Sequence, residues 1–390
     1  MSKRIRKRPW GTEGLRRSAL LLGLALLCAC GRGAERTPLA QPDTARWSLG
    51  AQPLARIGAG GGAGQDLHRV YGGLVNRDGR IVVGNSGTGE IRFYDRTGIY
   101  LFASGREGSG PGEFRAINWL SAGRGDSILV YDLRMRRFSV LNAGGNFARA
   151  FESRAPRGST RPVGVLPDGS VLVAAEQQFD PRTVTAGLVR DSMDLIRISP
   201  TGQAMGTVGR FPGAEWLVYD HSASYRSTQL PFGRAGHAVV SGENIVYASS
   251  DRGELLVHDL TGRRVGSILV PGEPRRLTDA EVEGFVEEAV EDAPERSALL
   301  RQLQRQRAGR WAPRIADLRV DRSGNLWVQR FPEPDGQHAK WTVFTRSGEL
   351  VGSMWMPAGS MPLDLRPDAL LVREHGEDGT EQVSLRELVR

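Results

Sequence analysis

The sequence predicts an all-β fold assembled from six copies of one four-stranded antiparallel unit. Two recurring tokens and one constant offset carry that expectation. The first token is a turn followed by a β-branched strand, Asp78-Gly79-Arg80-Ile81-Val82-Val83. It recurs at 125–130, 168–173, 242–247, 323–328 and 367–372. Asp-Gly and its relatives supply the positive φ of a tight hairpin, and β-branched residues fill the pleated strand after it. The second token is an apolar strand ending in a Gly turn, at 93–98, 140–145, 198–202, 257–262 and 344–348. A short strand follows each. One unit therefore has four strands, a to d, with the first token at the a–b turn and the second at the c–d turn. Repetition at this period is the signature of a repeat architecture.

The offset explains how the units close. In the sixth copy, residues 383–389 supply strand c and no d follows. Residues 53–58, just ahead of the first unit, are a candidate d. Gly58, Gly61, Asp66 and Leu67 match Gly105, Gly108, Glu113 and Phe114 at a constant spacing of 47. The N-terminal strand thus occupies the place that ends a unit, and its pairing with 383–389 would leave no open edge.

The run Ser104-Gly105-Arg106-Glu107-Gly108-Ser109-Gly110-Pro111-Gly112-Glu113-Phe114, with the unit after it, resembles the six-bladed propellers of the NHL-repeat and 6-bladed β-propeller lipoprotein type. The likeness covers residues 46–390. It implies a six-bladed β-propeller closed by the N-terminal strand, and it implies little about activity, because such propellers host binders, scaffolds and enzymes.

Residues 1–29 read as a lipoprotein signal. Seven bases and one acid precede the short apolar core at 19–27, which is too short for the roughly 20 residues of a bilayer span. Leu27-Cys28-Ala29-Cys30 resembles the bacterial lipobox and implies a lipid on Cys30. Residues 30–45 are polar and Pro-containing, a tether. The expected location is the cell envelope, as an outer-membrane lipoprotein facing the periplasm or the exterior. Cleavage removes six of the eight net positive charges, so the pI of 10.0 says little about partners. No basic stripe interleaved with aromatics is present, which argues against nucleic acid. Cys30 would be the one remaining cysteine, which excludes an internal disulfide.

In the expected topology both turn types lie on one face. The long insertions fall on the other, where the b–c and d–a connections run: 176–192, 211–232 and 331–338. Thr278-Asp279-Ala280-Glu281 is a capping box, and Val282, Phe285, Val286, Ala289 and Val290 form one apolar stripe. With a second helix from Pro294, this predicts a helical hairpin at about 275–310, between blades four and five. It suits a buttress between those blades better than a lid. The irregular face is where a ligand or a protein partner is expected.

Five arginines precede strand a: Arg69, Arg115, Arg161, Arg234 and Arg314. Converging on one channel mouth, they would suit an anionic small molecule or glycan. His68 and His237 share those positions, with His221 on the loop before blade four. Asn118 and Asp317 are further channel candidates. The principal expectation is a binding propeller without catalysis or cofactor. The alternative is a metal-dependent lyase or lactonase at the channel mouth, using those histidines or acids. The glycines at 58–64 open no helix, which rejects a dinucleotide fingerprint. Replacing Cys30 with Ser should release the protein from detergent-phase partitioning. A Cys30→Ser protein that partitions as before would remove the lipobox expectation.

Overall fold

The computed structural model describes residues 45–390 apart from 154–158, 177–184, 222–223, 231, 291–292, 306–310, 334–335 and 377. The described strands form six antiparallel sheets, four with four strands and two with five. The first sheet is Val70–Val75, Ile81–Asn85, Glu90–Tyr94 and Tyr100–Ser104, adjacent in chain order. The first strands of the next five are Ile117–Ala122, Ser159–Val165, Gly236–Ser241, Asp317–Val320 and Met361–Leu365.

Local chemistry builds each meander. At the c–d turn of the first sheet, Asp95 Oδ1 accepts from the backbone N–H of Thr97 at 2.8 Å and of Ile99 at 3.0 Å. Asn142 and Asp259 make the same pair of bonds at their turns. A short acceptor of this kind fixes a turn from within the sequence. Gly98 follows with φ +90°, and a Cβ there would stand 2.9 Å from the carbonyl oxygen of Arg56. Gly202 and Gly348 abut Phe151 and Ile268 in the same way. Those two residues lie in the outer strands of the preceding sheets, Phe147–Glu152 and Arg264–Leu269. Arg56 therefore stands where a preceding outer strand stands elsewhere.

Packing agrees. A buried apolar cluster fills the seam between each sheet and the next, and one joins the sixth sheet to the first. That last seam holds Ile57, Val70, Ile81, Tyr94, Leu371 and Val383. Each such side chain contributes about 1.5–3 kcal/mol by leaving water.

The N-terminal strand is Ala55–Ile57, and it pairs antiparallel with Leu385, Ser384 and Val383. A second short strand, Ser48–Leu49, continues along the same partner at Val389 and Leu388. Sequence reasoning missed that strand. It also missed the segment before it, which crosses to the fifth sheet. Trp47 N–H donates to Ser353 O at 2.8 Å, and Ser353 N–H donates to Ala45 O at 3.1 Å. The Trp47 indole then sits in the seam between fifth and sixth sheets with Trp327 and Trp341. Polar stitches tie sheets at the channel end instead: Asp364 Oδ2 accepts from Val75 N–H at 2.9 Å, and Arg322 donates to Val75 O at 2.6 Å. First, fifth and sixth sheets are pinned there together.

The insertions depart from expectation. The stretch 211–232 is not one long loop. The outer strand of the third sheet runs from Ala204 to His221, and Ser224–Gln229 folds back on it as a fifth strand. Trp216, Leu217, Val218 and Tyr219 carry the β propensity that extends it. In the connection 176–192, the third strand already begins at Gly187. The helices are α1 (Asp279–Ala289) and α2 (Ala293–Arg305). Thr278 and Glu281 form the capping box. In chain order the hairpin lies between the fourth and fifth sheets. Its stripe packs largely on the third-sheet extension, where Val282, Val286, Leu299 and Leu303 bury against Leu217, Tyr219 and Leu230, and Phe285 also meets Phe331 of the fifth sheet's b–c connection. The hairpin therefore buttresses the added strand. Apolar side chains on that extension would otherwise face water.

Deleting residues 31–60 should lower the melting temperature far more than deleting 31–44. Loss of Ile57 burial alone is worth about 2–5 kcal/mol. Equal melting temperatures would contradict closure by the N-terminal strand.

Candidate functional site

First strands of all six sheets line a central channel of about 680 Å³. Its polar groups largely answer one another. Arg319 meets Asp317 at 2.7 Å, Arg77 meets Asp126 at 3.2 Å, and Arg322 meets Asp364. The last two pairs join adjacent sheets, and Arg319, paired within its own strand, also donates to Pro362 O of the sixth sheet at 2.6 Å, which makes these contacts structural ties first.

The expected ring of arginines does not assemble as one set. Arg161 lines the channel, where its Nε reaches Glu176 at 3.3 Å and its Nη2 reaches Gly236 O at 3.1 Å. Arg69 and Arg115 are exposed. Arg69 takes a left-handed φ of 55° ahead of its strand. Backbone bonds place His68 and Arg115 alike: His68 N–H donates to Asn85 Oδ1 at 2.7 Å, and Arg115 N–H to Asp132 Oδ2 at 2.6 Å. These pairs are again 47 residues apart. Asn118 sits half-buried at a bulge in its strand. Cys30 lies outside the described residues. Among the described residues no three His, Cys, Asp or Glu side chains gather as a metal-binding group.

At the irregular end of the channel lies a cluster around His237. Burial pushes the imidazole down to about 4, with the Asp317 charge opposing and the Arg161 charge assisting. Asp191 belongs to the same network through Glu176. Burial pushes its carboxyl up, Trp216 Nε1–H donation at 3.2 Å opposes this, and the Glu176 charge raises it further. Sequence reasoning missed Asp191, because its environment comes from a bulge between Arg190 and Ser192.

Arg234 and Arg314 come together elsewhere, in a pocket of about 570 Å³. It opens entirely among the b–c and d–a connections, beside α2. Two insertions build it: the third-sheet extension and the residue after it give Leu188, Glu215 and Leu230, and the connection between the fourth and fifth sheets gives Leu303 of α2, Trp311 and Arg314. Arg234 Nε donates to Glu215 Oε1 at 2.9 Å, and the acid is nearly buried. Asp251 lines the wall and faces Arg190 at 3.6 Å. Trp311 is 48% exposed, with the Arg276 guanidinium 5.1 Å from its ring. An apolar wall with a few convergent polar groups is the common form of a small-molecule site, and this volume is within the usual span of about 300–1,000 Å³. Glu215, Asp251 and Trp311 were not singled out from sequence. The run Trp311-Ala312-Pro313-Arg314 after the second helix was the available signal.

No family model matches the chain, and no curated protein sequence matches it. Among solved structures, a member of the DUF4221 family from Bacteroides vulgatus is similar at 12% identity and a TM-score of 0.52. That likeness covers 88% of this chain and 98% of the other. A virginiamycin B lyase from Staphylococcus aureus is similar at 9% identity and a TM-score of 0.42, covering 88% and 100%. The first likeness, with meander sheets around a channel, defines the class as an all-β propeller. The second is too distant to bear on activity. Among the described residues no helix is long and apolar enough to cross a membrane.

The His237 shift gives a pH dependence. A folded pKa below the unfolded value of about 6.5 means the unfolded chain binds the proton more readily. That contribution is complete above about pH 6.5 and is lost as pH falls toward 4. The melting temperature should therefore drop over this window, and His237→Gln should flatten the drop. An unchanged profile in His237→Gln would show that the ring is not desolvated.

Proposed function

We propose that this chain is a six-bladed propeller of the NHL-repeat kind, anchored in the cell envelope through lipid on Cys30, that binds a ligand rather than converting it. The observation that carries this reading is the pocket beside α2. Two insertions, from the third sheet and from the connection between the fourth and fifth sheets, meet at one cavity on an otherwise regular scaffold, and two of its polar groups, Arg234 and Asp251, are fixed by guanidinium–carboxylate pairing. Rigid placement of this kind suits recognition. The surrounding irregular face is also the proposed contact surface for a protein partner.

The neutral apolar probe Nile red should bind the native protein at one site. Leu188→Trp, which fills the pocket mouth, should weaken it about tenfold, roughly 1.4 kcal/mol. Asp317→Asn, in the channel, should leave it unchanged. Equal binding by all three proteins would refute the pocket as the site.

A second reading is kept because His237, Asp317 and Asp191 form a network with two shifted groups, and perturbed groups cluster at functional sites. It is a metal-dependent lyase or lactonase at the channel mouth. Stoichiometric zinc or calcium in the purified protein would favour it over the binding reading.

A further inference from the structure

The charges around the pocket do not cancel evenly. Arg234 is answered by Glu215, and Asp251 by Arg190. Arg314 is held differently. Its guanidinium donates to the main-chain oxygens of Gly272 and, at 3.5 Å, Val270. Its Nε is buried with no hydrogen-bond partner among the described residues. Behind it, Arg330 donates to the carbonyl oxygen of Pro271. Burial pushes Arg330 below the usual arginine range, the neighbouring Arg314 charge adds to that, and the exposed Glu333 opposes it. Among the described residues, 270–272 thus hold two adjacent guanidiniums by neutral oxygens alone. A carbonyl carries only a partial charge, so the positive field on the pocket side is incompletely neutralised. Most of the rest of the wall is apolar, with Leu188, Leu230, Phe232, Leu303 and Trp311, and the Ser250 hydroxyl there already accepts from Ala235 N–H.

We propose that the pocket takes an apolar monocarboxylate, with its carboxylate on Arg314 and its hydrocarbon body along Leu230, Phe232, Leu303 and Trp311. This rests on the pocket-binding reading above. A guanidinium fork matches a carboxylate in shape and charge. A monoanion fits better than a phosphate, because Glu215 and Asp251 on the same rim would repel a second negative charge. A cationic amphiphile is disfavoured there, since its charge would face the incompletely neutralised Arg314.

Octanoate, 1-octanol, octylammonium and acetate separate the parts of the proposal on the purified full chain, read by Trp fluorescence and thermal shift. Octanoate should bind at least about tenfold more tightly than 1-octanol, the worth of a charge-assisted hydrogen bond. Octylammonium should bind least, and acetate should not bind measurably. Arg314→Gln should bring octanoate down to the affinity of 1-octanol, and Arg314→Lys should restore part of the difference. Equal affinity for octanoate and 1-octanol in the native protein would overturn the carboxylate class while leaving a binding pocket. Failure of octanoate and 1-octanol alike would overturn the pocket reading itself. Because the decisive comparison uses the native protein, it does not depend on the variants folding.

Discussion

The antiparallel pairing of Ala55–Ile57 with Val383–Leu385 sets the conditions for everything else in this molecule. A row of twisted meander sheets presents apolar faces to its neighbours, so an open row would leave two faces in water. Here the N-terminal strand supplies the outer strand of the last sheet, and Ile57 enters the seam that joins it to the first. Closing a loop of over 300 residues carries an entropic cost that rises only slowly with length. The buried seam can offset it. Trp47 and Ser48–Leu49 extend the clasp across the fifth and sixth sheets, so the two ends of the described chain are tied at three places.

Closure also decides where variation is tolerated. The turn face is constrained by glycines that touch the preceding sheet, as Gly98 touches Arg56. A side chain added there meets backbone. The opposite face has tight glycines too, Gly89 against the Glu107 backbone among them, yet the third-sheet extension and the helical hairpin lie on that side. Each buries apolar side chains that the other would leave exposed. The pocket is what remains between them, and its arginines are the two of the expected five that share one cavity.

Much of this was written locally. Asp95, Asn142 and Asp259 bond backbone groups two and four residues on, so their turns are legible in short windows. Thr278 and Glu281 announce a helix start for the same reason. The constant spacing of 47 made the N-terminal strand legible as an outer strand. What sequence reasoning lost was non-local. Nothing near Arg161 or Arg234 in the chain names Glu176 or Glu215 as its partner, 15 and 19 residues away. The α1–α2 stripe declared an apolar face without declaring which sheet would receive it. The extension through Trp216 to Tyr219 was readable from propensity, but its aromatic residues looked equally like a binding loop.

Hydrogen exchange across the clasp tests the central claim most directly. The amides that hold the N-terminal segment to the last strand, Leu54 N–H to Leu385 O among them, should open only with global unfolding. Their opening free energy should equal that of the strands Ile81–Asn85 and Ile128–Asp132 in the interior of the first two sheets. Exchange of the clasp at markedly lower free energy, with the other sheets still protected, would mean that the ring stands without its N-terminal strand and would contradict the account.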